Sequence, residues 1–69
     1  MEIRISDPEL LQDLCDYLSR AGFVVTERAE KIADVLLADV PQEAAEVALA
    51  TRIGLWRAAR PGVVVAINA

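Results

Sequence analysis

Chemistry in a protein needs nucleophiles, bases and ligand atoms at workable spacing, and this chain offers few of them. It has one cysteine, Cys15, and no histidine. The thiolate rather than the thiol is the nucleophile, and the nearest following basic residue, Arg20, lies beyond one helical turn. Cys15 therefore reads as an inert core thiol. The absence of histidine removes the usual general base and the commonest metal ligand. Asp7, Glu9, Asp13 and Asp16 cluster early, and paired carboxylates can hold a hard cation. Their spacing is not that of a calcium loop, and a cap, a dipole partner and a solvated helix face account for them all. The glycines Gly22, Gly54 and Gly62 are scattered, so no glycine-rich phosphate loop forms.

Two polar residues remain as candidates for holding a ligand. Asp7 sits in the loop before the first helix. Arg52 falls within or beside an apolar arc near Ala48, Trp56 and Ala59. Its guanidinium suits a carboxylate or phosphate, or a stack on Trp56 at an interface; alternatively its stem covers apolar surface with the head in water. Trp56 reads first as core and second as an interface anchor. No catalytic residue, cofactor site or metal site emerges, which points to a non-enzymatic protein.

The elements that must position these residues follow from periodicity. Met1, Ile3 and Ile5 alternate with Glu2, Arg4 and Ser6, the pattern of a strand with one buried face. Ser6-Asp7-Pro8-Glu9 starts a helix, capped by Ser6 with Glu9 closing a box, or by Asp7 with Pro8 in the first turn. Leu10, Leu11, Leu14, Tyr17, Leu18 and Ala21 recur at helical spacing. Gly22 supplies a left-handed ending, with Phe23 packing back on Leu18. Strands follow over Phe23 to Arg28 and Ala33 to Val40. A second helix runs from Pro41 to about Arg60, and Pro61-Gly62 precedes a last strand over Val63 to Ile67.

The gap between the second and third strands, Ala29 to Ile32, is too short for a parallel crossover and forces an antiparallel hairpin. Right-handed crossovers around that hairpin give an α+β, ferredoxin-like βαββαβ sandwich with sheet order 4-1-3-2 and both helices on one face. The whole chain, residues 1–69, reads as a single domain of this kind. A domain so small buries only about 60% of the surface its unfolded chain exposes, and such domains lean on a disulfide, a metal or a second subunit. With a lone cysteine and no histidine, the second subunit is the aid that remains.

Composition narrows the partners. The formal net charge is -4, with 11 acidic and 7 basic residues, so nucleic acid would be repelled without a gathered basic face. No run approaches the roughly 18 apolar residues of a membrane span, and the N-terminus carries no export signal, which gives cytoplasmic location as the expectation.

With Ile3, Ile5, Val35, Leu37, Val63, Val65 and Phe23 or Val25 toward the helices, the other sheet face carries Glu2, Arg4, Val24, Thr26, Leu36, Ala38, Val64 and Ala66. A solvated sheet face normally alternates cleanly to polar residues. The residues Val24, Leu36, Ala38, Val64 and Ala66 break that rule and form the expected interface, to a second copy or a small protein partner. The second helix is also apolar over a broad arc, from a neighbour or simply because alanine is the best helix former.

Resemblances add little chemistry. Ile5 to Leu11 followed by Ala21 to Val25 resembles the opening of response-regulator receiver domains, and Asp34 to Asp39 is similar to their third strand, with Asp39 at the phosphoacceptor position. The helix between strands two and three is missing, however, as are the second acid after strand one and the later lysine. The same opening is similar to the ACT domain, whose resemblance implies amino-acid binding at oligomer interfaces, although Glu9 stands where the usual glycine would follow the loop proline. Heavy-metal-associated domains share the layout but need paired cysteines, absent between Ser6 and Leu10. RNA-recognition motifs need aromatic residues where this chain has Leu36 and Val64. Leu55-Trp56-Arg57 and Arg60-Pro61-Gly62 resemble short actinobacterial ferredoxin-like proteins, and that resemblance implies no activity. The leading expectation is a self-associating interaction module; the alternative is an ACT-like small-molecule sensor using Asp7 or Arg52.

Overall fold

The computed structural model describes residues 1–68. It is α+β, with an antiparallel sheet of four strands and two helices. Strand β1 (Glu2–Ile5) leads through a 3-10 turn (Pro8–Leu10) into helix α1 (Leu11–Arg20). The hairpin strands β2 (Val24–Ala29) and β3 (Ile32–Leu36) follow, then helix α2 (Gln42–Ala58) and strand β4 (Val65–Asn68). The sheet order is 2-3-1-4, which is the expected 4-1-3-2 order read from the other edge.

Local chemistry explains most boundaries. Of the two caps open to the first helix, Asp7 is used, but on the 3-10 turn that precedes it: its Oδ1 accepts the Glu9 N–H at 3.0 Å, and α1 itself starts after Leu10 with no side-chain cap. Ser6 is diverted, because its Oγ accepts the Val64 N–H at 3.0 Å and its own N–H reaches the Val64 carbonyl at 2.9 Å. Helix α1 ends as a Schellman motif. Gly22 takes a φ of 99°, open to glycine but strained for other residues, while Gly22 N bonds Ser19 O and Phe23 N bonds Leu18 O. Leu18 and Phe23 both join the core.

The hairpin is tighter than expected. Ala29 pairs with Ile32, leaving Glu30 and Lys31 as the turn, and the register slips between Glu27 and Ala29. Arg28 is the extra residue of that bulge, which bends the strand and lets the turn close. Strand β3 stops at Leu36 instead of continuing to Val40. Asp39 adopts a φ of 61°, a left-handed conformation that aspartate tolerates, and Pro41 then opens α2. Ala38 therefore lies in a turn and not on the sheet face. The last strand starts later than its apolar run, because Val63 N turns back to Arg60 O and Val64 is tied to Ser6.

Pairing of Ile3 with Ala33 and Ile67 puts these side chains on one face of the sheet. There Ile3, Ile5, Ala33, Val35 and Phe23 pack with Leu11, Leu14 and Leu18 of α1 and Leu49, Ile53 and Trp56 of α2 in one cluster. Both helices thus cover the same face. Burying each large side chain contributes about 1.5–3 kcal/mol, and no buried side-chain nitrogen or oxygen among the described residues lacks a partner.

Candidate functional site

The uncovered sheet face is laid out in rows set by strand register. Val24 pairs with Leu36 at one corner. The next row is polar and crosses all four strands, Thr26 with Asp34, Asp34 with Glu2, and Glu2 with Asn68. Beyond it, Ile32, Arg4 and Ala66 form a third row, and Val64 lies past Ala66 beside Ser6. Val24, Leu36 and Val64 are 57%, 60% and 59% exposed, against 5% or less for Ile3, Ile5 and Val35 on the covered face.

Of the five residues expected on this face, four are there. They form two apolar corners at opposite ends and edges, not one continuous patch. The polar row between them is internally bonded. Arg28 reaches Asp34 at 3.4 Å and Asn68 donates to Glu2 at 3.5 Å. Arg4 lies 3.9 Å from Glu2, too far for a hydrogen bond. Sequence periodicity finds the face of each residue, but not the row, because register depends on strand pairing.

At the β1–β4 end the face is concave. A groove of about 350 Å³ is lined by Arg4, Ile5, Ser6, Lys31, Val64 and Ala66. Arg4 and Ala66 come from paired strands, Ser6 from the end of β1, and Lys31 from the hairpin turn, whose carbonyl accepts the Ile5 N–H at 2.9 Å. Ser6 Oγ accepts from Val64, which leaves its hydroxyl hydrogen free to donate into the groove.

The other side of the molecule has a cleft of about 280 Å³ between α1 and α2, lined by Asp13, Asp16, Tyr17, Arg20, Leu55, Trp56 and Arg60. Asp13 is its hub: Oδ2 accepts the Trp56 indole N–H at 2.9 Å and the Arg60 guanidinium at 2.6 Å. Arg60 also donates to Trp56 O at 3.0 Å and lies 4.4 Å over the indole ring. Trp56 is thus a core residue, and Arg60, not Arg52, is the arginine that stacks on it. The four-residue spacing of Trp56 near the end of α2 and Arg60 just beyond it carried that signal, whereas Asp13 is 43 residues from Trp56.

The two ligand candidates are not brought together. The Asp7 carboxylate serves as a cap, Arg52 is exposed on α2, and neither lines either cleft. Cys15 is buried, and burial pushes its thiol from 9.0 up to about 11, with the Glu27 and Asp16 carboxylates adding to the rise. A thiol held so far above neutrality is not a nucleophile at ordinary pH. No group of three or more metal-ligating side chains occurs among the described residues, and none of their helices is long and apolar enough to cross a membrane. Comparison with protein-family models, curated proteins and solved structures finds no match for this chain.

Proposed function

We propose that this chain is a small non-enzymatic interaction module of the ferredoxin-like type, and that it self-associates through the open sheet face. The observation carrying this reading is the exposure of Val24, Leu36 and Val64 on one face of a sheet whose opposite face is fully covered. Large apolar side chains on an otherwise solvated antiparallel face are what association sites present.

Charge favours a second copy as the partner. Glu2 and Asp34 lie in one row, while Arg4 lies in the next and Lys31 at the end beyond it. A two-fold contact that turns the second copy end for end sets acids over bases twice, and brings the Val24/Leu36 corner of one copy to the same end as the Val64/Ala66 corner of the other, on the opposite edge. A two-fold contact keeping the rows aligned would set acids on acids.

Light scattering on a sizing column across a concentration series tests this reading. Wild type is expected to exceed the monomer mass of 7.5 kDa, and Leu36→Glu with Val64→Lys to return it to monomer. A wild type that stays monomeric at every concentration would sink the reading.

A further inference from the structure

The groove at the β1–β4 end has features that self-association alone does not require. Its floor is apolar, from Val64 and Ala66, and its rim carries two cations from separate parts of the chain. Among the described residues Lys31 makes no ion pair or side-chain hydrogen bond, and the nearest carboxylate to Arg4 is Glu2 at 3.9 Å. Arg28, Arg57 and Arg60 are engaged more closely, with Asp34, the Val63 carbonyl and Asp13, whereas Arg20 and Arg52, like Lys31, make no side-chain hydrogen bond or ion pair among the described residues. Arg20 lines the helix cleft and Arg52 lines neither cleft; what sets Arg4 and Lys31 apart, on a chain of net charge -4, is that two cations without close partners among the described residues share one groove with apolar side chains. The Ser6 hydroxyl adds a neutral donor to the same groove.

We infer that this groove binds a small organic anion, with a carboxylate or phosphate head between Arg4, Lys31 and Ser6 and a compact apolar body on Val64 and Ala66. Pockets of about 300 Å³ or more accept molecules of that size, with apolar walls for the body and a few polar groups fixing orientation. The guanidinium gives the head a planar, two-donor partner, and the lysine adds a mobile point charge. Binding in the groove does not depend on self-association. Where the proposed association does occur, anion and second copy contend for Val64, Ala66 and the two cations, and by linkage each weakens the other.

The test is an amide-resolved NMR titration in low-salt buffer with phenylacetate, phenyl phosphate and the neutral phenylacetamide. At least one anion is expected to give saturable shifts at Ser6, Lys31, Val64 and Ala66, with a dissociation constant of about 1 mM or below. The tighter of the two anions names the head group. Arg4→Gln with Lys31→Gln should weaken binding about tenfold or more. Ala66→Trp, which fills the groove and keeps both charges, should abolish it. The inference fails if neither anion saturates, if phenylacetamide binds equally, or if both variants bind as wild type does. Mass measured with and without saturating anion is read separately. A wild type that is monomeric in both conditions removes the association reading and leaves the titration to decide the groove.

Discussion

The seam between the helices and the open sheet face treat polar groups in opposite ways. At the seam, Asp13 holds both the Trp56 indole and the Arg60 guanidinium, and Arg60 closes over the ring it shares that carboxylate with. On the sheet face, Arg4 and Lys31 have no close partner among the described residues and share a groove with Val64 and Ala66, and Val24 and Leu36 remain exposed. The seam uses Asp13, Trp56 and Arg60 to hold the helices together, while Asp16, Tyr17 and Arg20 line the same cleft without bonding to that trio. The apolar and cationic groups of the sheet face lie outside the core cluster, and they are the ones that the proposed association and anion binding would use.

Substitutions separate the two regions. The largest effect is expected from Trp56→Ala, which removes a side chain only 3% exposed and should cost about 3–5 kcal/mol. Chemical denaturation measures that loss, and a change below about 1 kcal/mol would place Trp56 outside the core. Asp13→Ala comes next. It frees the indole N–H and the Arg60 guanidinium, but Asp13 is itself 53% exposed, so water screens the pair and the cost should be about 1 kcal/mol. A double-mutant cycle with Arg60→Ala would show whether the carboxylate and guanidinium act as a unit, and additivity would dissolve the seam into independent contacts. By contrast, Leu36→Glu should change the chain's intrinsic stability by about 0.5 kcal/mol or less while altering its mass in solution.

At neutral pH the smallest effect belongs to Cys15. Its folded thiol titrates near 11 against 9.0 for an ordinary one. The raised value means that the folded state holds the proton longer. The contribution to stability is full below pH 9 and is lost as pH rises through 11. Urea midpoints between pH 9 and 11 should therefore fall more steeply for wild type than for Cys15→Ala. Parallel slopes would show that the thiol is not shielded by the α1–β2 packing.

Much of the fold was legible in one dimension. The Gly22 ending of α1 was readable because a left-handed residue followed by an apolar one leaves a local mark, and Leu18 and Phe23 lie close in sequence. The antiparallel hairpin was readable because so few residues join its strands. The bulge at Arg28 and the early stop of β3 at Leu36 were not. Valine, leucine and alanine from Val35 to Val40 look like strand whether or not a pairing partner exists, so the pattern alone puts Ala38 on the sheet. The candidate site was legible as a face but not as a layout. Alternation assigns Val24, Leu36, Val64 and Ala66 to one side, yet it cannot say that a polar row separates the corners.

The sequence by itself determined the element order, the covered face of each strand, and the absence of histidine-based chemistry, since these rest on residue identity and short-range periodicity. Tertiary structure alone decided that Asp13 meets Trp56 and Arg60, that Ser6 bonds Val64 instead of capping the helix, and that Arg4 and Lys31 flank one groove. Those contacts join side chains far apart along the chain, and their partners are chosen by strand register and helix packing, which no local pattern encodes.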